Sequence, residues 1–480
     1  MNPIEVTERL GRWSSGRGRL SALLAARLRS LIDDGELPPG EPLPTDRALA
    51  DALAVGRSTV VAAYETLRAD GRVVRRQGSG TRVAGEPIED AHPMPAADSD
   101  APIFLAHLEP VTETIPLACA APSGPPPELI AAQRRALDQF GDLGERIDFG
   151  YHPAGHPRLR ASIAEQYGRL GLPTAPEEVL VTNGAQQAIS LITRYLITPG
   201  DPILVEAPTY PGALEVFRAG GADLIPQPVG MPGLARALRD RPTALSYLVA
   251  AFHNPTGQLL PALAGERAAR AAAVAGRWLI DDRTLADLGF PGSRTPPPLA
   301  CHGDTVITIG SLSKIVWGGL RIGWIRAPKS LVQRLARVRA VHDIGGSVFS
   351  QLAAAELLDD LDQLRDQAGR ELQQAHDHLG AELTRQLPEW EFSPAEGGQS
   401  LWVRIPDGDG DSFAQEALRH GVAVLPGSGL DAGGGGTCYL RLHFRLNDGL
   451  LTEAVARLSA AWQAYRPPRQ PLIDRPKLAV

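Results

Sequence analysis

Gly310-Ser311-Leu312-Ser313-Lys314-Ile315-Val316-Trp317-Gly318-Gly319-Leu320-Arg321-Ile322-Gly323 is the stretch on which the reading of this chain turns. The β-branched run Val306–Ile309 before it predicts a strand, and the glycines after it predict tight turns. Lys314 stands between the two. Of 480 residues only Lys314, Lys329 and Lys477 are lysine, in a chain otherwise rich in arginine. A guanidinium stays protonated and cannot attack a carbonyl carbon, so a lysine kept at a strand end among glycines points to an amine nucleophile. Ser311 and Arg321 flank it with a hydroxyl and a fixed cation, both suited to a phosphate ester.

Outward from this stretch, short β-rich runs alternate with Ala- and Leu-rich helical runs from about residue 115, which predicts an α/β domain with a mostly parallel sheet. Ligands of such sheets bind at the C-terminal ends of the strands. After Val179–Thr182 comes Gly184-Ala185-Gln186, opening a helix whose free amides favour a phosphate. After Ile203–Glu206 comes Tyr210 in a Pro-rich turn, where its ring can stack on a flat ligand. Asn254 follows the run Tyr247–Ala251 in an Asn-Pro turn. Trp278–Ile280 ends in Asp281-Asp282, and a carboxylate at a strand end can pair with a protonated ring nitrogen.

In order and spacing these segments resemble the fold-type I aminotransferases that use pyridoxal 5'-phosphate, over most of residues 115–465. The resemblance implies that Lys314 is the lysine joined to the cofactor aldehyde. It implies that Asp281, chosen over Asp282 for its closeness to the strand end, partners the pyridine nitrogen. Asn254 would reach the phenolic oxygen and Tyr210 would stack on the ring. Gly184, Ala185, Gln186, Ser311 and Arg321 would surround the phosphate. Tyr151, in Gly150-Tyr151-x-x-x-Gly155, would reach a neighbouring subunit's cofactor, and Arg441 would grip an effector carboxylate. The family's tyrosine two or three residues after the cofactor aspartate is replaced by Arg283 and Thr284. An arginine beside the phenolate would still donate a hydrogen bond, while efficient transamination is put in doubt.

The N-terminus reads differently. Leu20, Leu23, Leu24, Leu28, Leu31 and Ile32 recur at helical spacing until Gly35 and Pro38-Pro39. A second helix opens at Pro44-Thr45-Asp46 and a third at Arg57 or Ser58, joined by the short turn Val55-Gly56, which makes a helix-turn-helix. Residues 71–83 predict a two-stranded ribbon with a Gly-rich tip. Residues 1–82 carry thirteen arginines against ten acids, whereas the whole chain has net charge −7. The basic end is therefore where a nucleic-acid partner belongs. The pattern from Pro39 through Gly80-Thr81 is similar to a GntR-type winged helix, which implies DNA contact by Arg47, Arg57, Ser58, Thr59, Arg72 and Gly80. Gly56 stands where that family usually has serine.

The expected organisation is a winged helix-turn-helix over 1–84, a Pro- and acid-rich linker over 85–114, a large cofactor domain over 115–335 and a smaller C-terminal α+β lobe over 336–480. Together the two parts resemble the MocR/GabR class of transcription regulators. That resemblance implies a homodimer, with swapped DNA-binding domains, that binds operator DNA and senses pyridoxal phosphate or a small amine or amino acid joined to it. The alternative is an active aminotransferase carrying an accessory DNA-binding module, and weak or partial transaminase chemistry is compatible with either. Three dispersed cysteines with no C-x-x-C pair predict a reduced, cytoplasmic protein without a structural zinc site. No run approaches the roughly 18 apolar residues of a membrane span.

Overall fold

A computed structural model describes residues 3–11, 13–14, 19–38, 40–76, 80–84, 114–142, 148–241 and 243–466. The predicted linker, all but its last residue, and the ribbon tip at 77–79 lie outside the described residues. The chain divides into two compact units. One comprises residues 1–116, 405–425 and 456–480; the other comprises 117–404 and 426–455.

In the first unit, helices α1 (Pro3–Leu10), α2 (Leu20–Asp33), α3 (Asp46–Leu53) and α4 (Arg57–Ala69) precede an antiparallel ribbon of β1 (Val73–Arg76) and β2 (Gly80–Val83), and the short strand β3 (Ile115–Pro116) comes after it in the chain. The predicted apolar stripe is the core: Leu24, Leu28 and Leu31 pack with Leu49, Leu53, Val60, Tyr64 and Leu67, all almost fully buried. Thr45 caps α3 through the Ala48 amide at 3.3 Å. Ala54 takes a left-handed conformation (φ 52°) to end it. Gly56 begins α4 without a side-chain cap, as glycine must. The Tyr64 hydroxyl donates to the Pro44 carbonyl at 3.0 Å, tying α4 to the entrance of α3. Burial of that phenol raises its pKa, as does the neighbouring Asp46 carboxylate.

In the second unit, α5 (Pro127–Asp142) and α6 (Pro157–Arg169) lead into a seven-stranded sheet. Its strands are β4 (Val179–Thr182), β5 (Pro202–Ala207), β6 (Asp223–Pro228), β7 (Leu245–Leu248), β8 (Trp278–Asp282), β9 (Val306–Ser311) and β10 (Gly323–Arg326), in spatial order β4-β10-β9-β8-β7-β5-β6. Only β10 runs antiparallel to its neighbours. The predicted strand at 321–325 thus begins two residues later, because Arg321 occupies a left-handed turn (φ 57°). One sheet face carries Val205, Tyr247, Ile280, Ile307 and Ile309 against helix α7 (Ala185–Leu196). The opposite face carries Asp281, Thr308 and Gly310, because successive strand residues alternate sides. Further on, Ser400–Arg404 pairs antiparallel with Tyr439–His443, which places Arg441 on a strand. Among the described residues no helix is long and apolar enough to cross a membrane.

Candidate functional site

The strand ends gather most of the predicted residues. Lys314 is half-buried, and its Nζ donates to the Ala120 carbonyl at 2.7 Å. The same carbonyl accepts from Gln399 Nε2 at 2.9 Å. Arg445 closes the circuit, donating from Nη2 to the Lys314 carbonyl at 2.6 Å and from Nε to Gln399 Oε1 at 2.9 Å. Lys314 is thus held at its main chain and at its amine by one ring of contacts. Burial, and then the like charges of Arg441 and Arg445, push its amine down to about 8. Sequence reasoning missed Arg445 and Gln399, since nothing local links positions 120, 314, 399 and 445.

Arg441 is buried, with Nη2 donating to the Ala118 carbonyl and Nη1 to Asn254 Oδ1 at 3.4 Å. Burial holds this guanidinium down to about 10, so it stays charged at neutral pH, and its Nε has no hydrogen-bond partner. Asn254 spends its oxygen on Arg441, which directs its amide NH₂ to any further partner. Tyr210 donates to Gln186 Oε1 at 3.0 Å, and Gln186 Nε2 donates to the Gly212 carbonyl at 2.9 Å. The Tyr210 phenol is raised to about 12 by burial and then by the Asp282 carboxylate, with Arg441 opposing.

The helix start is built as a cradle. Gly184 precedes α7 with φ +80°, and a Cβ there would lie 2.8 Å from Arg321 Nη2. Arg321 donates to the Asn183 carbonyl at 2.5 Å, and Gly323 packs directly on Gly184. The first-turn amides of α7, opening with Ala185, therefore face an arginine fixed beside them. Ser311 is buried at the end of β9, its hydroxyl donating to Ile322 O at 3.2 Å and accepting from Ser313 N at 3.1 Å. An anion the size of a phosphate ester fits this donor set.

The aspartates require a correction. Asp281, expected to face the cofactor, lies on the opposite sheet face, where Oδ2 accepts the Leu299 amide at 2.9 Å and sits 3.9 Å from Arg283. Burial raises its carboxyl to about 6, with Arg283 and the Leu299 amide opposing. Asp282 is the carboxylate on the side of Tyr210 and Lys314, and it accepts from the Tyr247 hydroxyl and from Thr284 Oγ1, each at 2.5 Å. Strand alternation decides this, because adjacent residues cannot share a face. Arg283 is likewise turned away from the site and donates to the Pro296 carbonyl at 3.1 Å. It is not placed to bond a phenolate on the Lys314 side, contrary to the sequence expectation.

Tyr151 is not brought into the group but stands 68% exposed, beside Phe149 at 83%. Nearby, Asp148, His152 and His156 bring one possible metal-ligating atom each within 4.8 Å of one another. No C-x-x-C search would find that cluster; its signal is the four-residue spacing of carboxylate and imidazoles.

On the first unit, Arg47 is exposed on α3, and the start of α4 presents Arg57 (70% exposed side chain), Ser58 and Thr59. Gly80 pairs with Arg76 next to the ribbon tip. Arg72 departs from the expected group: it lies at the ribbon base, where its carbonyl accepts the Ala84 amide, and its guanidinium is paired with Asp33 at 2.7 Å. Arg75 makes a contact that the sequence did not suggest, donating to the buried Asp46 at 2.5 Å, with Arg57 also 3.9 Å from that carboxylate.

Residues 113–458 match the family model for aminotransferase class I and II, and the chain belongs to that family. Residues 20–83 match the model for bacterial regulatory proteins of the gntR family, so the protein is a GntR-type helix-turn-helix fused to an aminotransferase-type unit. It is 33% identical over 358 residues to 2-aminoadipate transaminase of Thermus thermophilus, covering 70% of this chain and 88% of that protein. It is 29% identical over 442 residues to the HTH-type transcriptional regulator TauR of Rhodobacter capsulatus, covering 86% and 90%. Among solved structures it resembles LysN, the α-aminoadipate aminotransferase of Thermus thermophilus complexed with N-(5'-phosphopyridoxyl)-L-leucine. That likeness has a TM-score of 0.67 and 29% identity, and covers 74% of this chain and 93% of that one. Pyridoxal phosphate is the cofactor of the family, and the cradle and lysine described above fit it.

Proposed function

We propose that this protein is a DNA-binding transcription regulator that uses its aminotransferase-type unit to sense a small amine or amino acid, or pyridoxal phosphate itself. The observation that carries the reading is the presence in one chain of a helix-turn-helix and, at the strand ends, a lysine amine, a glycine-and-arginine helix start and a buried arginine. In this reading Lys314 supplies the amine that holds the cofactor. Asp282, rather than Asp281, keeps the ring nitrogen protonated. Asn254 donates to the phenolic oxygen, Tyr210 stacks on the ring, and Gly184, Ala185, Gln186, Ser311 and Arg321 hold the phosphate. Pyridoxal phosphate supplies an aldehyde that primary amines attack and a ring that withdraws electrons. Arg441 takes an effector carboxylate by exchanging its contacts to Ala118 and Asn254 for a bidentate pair.

Arg47, Arg57, Ser58, Thr59 and Gly80 form the DNA-facing set, and Arg72, held by Asp33, serves the ribbon instead. A homodimer, with Tyr151 reaching the partner's site and the DNA-binding modules exchanged, accounts for two exposed aromatic side chains in sequence. The proposed organisation remains a DNA-binding module over 1–84, a linker over 85–114, and large and small lobes over 115–335 and 336–480. An effector changes DNA affinity only by preferring one arrangement of the protein over another.

The test is to select operator sequences from random DNA with the full chain. DNA affinity is then measured by fluorescence anisotropy with and without pyridoxal phosphate and each of a panel of amino acids and amines. A cofactor-dependent shift that Lys314→Ala abolishes supports the sensor reading. Sequence-independent binding, or affinity indifferent to every ligand, overturns it. The second reading, an active aminotransferase with an accessory DNA module, is favoured by the lowered Lys314 amine. Sustained turnover of an amino acid with a keto acid would establish it.

A further inference from the structure

Asp148, His152 and His156 follow one another at four-residue intervals in the turn that precedes helix α6. No helix sets their spacing; main-chain contacts do. Gly155 N donates to the His152 carbonyl at 2.9 Å, and Val181 N donates to the Ala154 carbonyl at 3.0 Å. His156 N donates to Gln351 Oε1 at 2.6 Å. Gly345 packs on the same turn so closely that a Cβ there would lie 2.6 Å from the His152 carbonyl oxygen. Distant segments therefore hold the turn in shape.

The three side chains converge. Asp148 accepts the Gly150 amide on Oδ1 at 2.8 Å, and its Oδ2 stands 3.2 Å from His152 Nε2. The His152 and His156 rings meet edge to face with centroids 5.1 Å apart, and one ligand atom from each of the three residues lies within 4.8 Å of the other two. Zinc binds imidazole nitrogen at about 2.0–2.1 Å and carboxylate oxygen at about 2.0–2.2 Å, so two such ligands at the tetrahedral angle stand about 3.3–3.5 Å apart. The 3.2 Å between Asp148 and His152 is close to that span and at the long limit for a hydrogen bond. Binding costs little in return, because the one polar contact His156 gives up is a long one, the Arg158 amide on Nδ1 at 3.3 Å. The His152 and Asp148 side chains keep 18% and 26% of their surface exposed, which opens the group to an ion from solvent and leaves room for water as a further ligand. Two imidazole nitrogens and one carboxylate oxygen suit zinc and its neighbours in the first transition row, whereas magnesium and calcium take oxygen ligands.

We propose that Asp148, His152 and His156 form a site for a divalent transition-metal ion of the zinc type, apart from the Lys314 site. Asp148 and His152 lie on either side of Tyr151, so a bound ion cross-links the turn that carries that exposed ring. The inference does not rest on the sensor reading, because it uses none of the residues around Lys314 and none of the DNA-facing set.

The experiment uses the full chain, free of any purification tag, loaded with pyridoxal phosphate and dialysed to remove excess cofactor and metal. Co²⁺ is titrated by visible absorbance, Zn²⁺ by calorimetry, and Mg²⁺ in parallel as a competitor. A single Co²⁺ per chain is expected, with bands of nitrogen and oxygen ligation, no thiolate charge-transfer band, displacement by Zn²⁺ and no displacement by Mg²⁺. Asp148→Asn and His152→Ala should each lower Zn²⁺ affinity at least about tenfold. Both side chains are partly exposed, so these variants decide the matter even if His156→Gln fails to fold; circular dichroism checks each one. Absence of saturable binding, affinity unchanged in the two folded variants, a thiolate band, or equal competition by Mg²⁺ would overturn the proposal.

Discussion

Replacing Arg445 by glutamine should raise the pKa of the Lys314 amine and slow cofactor capture at neutral pH. Only the neutral amine attacks an aldehyde. With the amine at about 8, about a quarter of molecules carry it neutral at pH 7.5, against about one in a thousand for an ordinary lysine. The fold therefore raises the reactive population on the order of 200-fold. Burial is the largest cause, and the like charges of Arg441 and Arg445 add to it. Arg445→Gln removes one of those charges and leaves an amide able to reach Gln399. Each unit by which the midpoint rises then costs about tenfold in capture rate at pH 7.5. Stopped-flow absorbance of the lysine-bound cofactor, followed from about pH 6 to about pH 11, gives rate and midpoint together. A wild-type midpoint near that of free lysine, or an identical midpoint in Arg445→Gln, refutes the reasoning. Stability carries a matching signature. Because the folded-state value is depressed, the folded protein binds fewer protons than the unfolded chain between about pH 8 and 10.5. The cost of burying this amine is thus fully present below pH 8 and fades as pH rises toward 10.5.

The paired aspartates give a direct comparison: Asp282→Asn should weaken cofactor binding at least about tenfold, while Asp281→Asn should leave it close to wild type, both read by spectrophotometric titration. Asp281 has its own pH signature, since a carboxyl raised from 3.8 to about 6 makes stability fall as pH rises between those values, and urea unfolding should show that slope vanish in Asp281→Asn. Arg57→Ala should reduce operator affinity by about 1–3 kcal/mol, whereas Arg72→Ala should change it little and instead destabilise the ribbon; anisotropy and thermal melting separate the two effects. Thr45→Ala should cost the first unit about 1 kcal/mol through the lost cap on α3, measurable by chemical denaturation.

Some of this was written in the sequence because the chemistry is local or the residue type admits no substitute. Lys314 stood out because an amine nucleophile cannot be arginine. Helices α2, α3 and α4 were legible from apolar spacing, the Thr45 cap and the Gly56 break, all encoded within a few neighbours. The strand ends carrying Gly184, Tyr210 and Asn254 were legible for the same reason. What the sequence could not determine is which way adjacent side chains face once strands pair. Asp281 and Asp282 are equivalent on paper, and the register of β8 against β9 sends one to Arg283 and the other to Tyr210. Arg72 is drawn to Asp33 across nearly forty residues, and the ring that holds Lys314 unites positions 120, 314, 399 and 445. Such contacts arise only when the packed fold brings distant segments together, because no helical or strand period reaches that far. Local propensity and irreplaceable chemistry thus determined the elements and the reactive lysine, and tertiary packing decided which neighbours tune it.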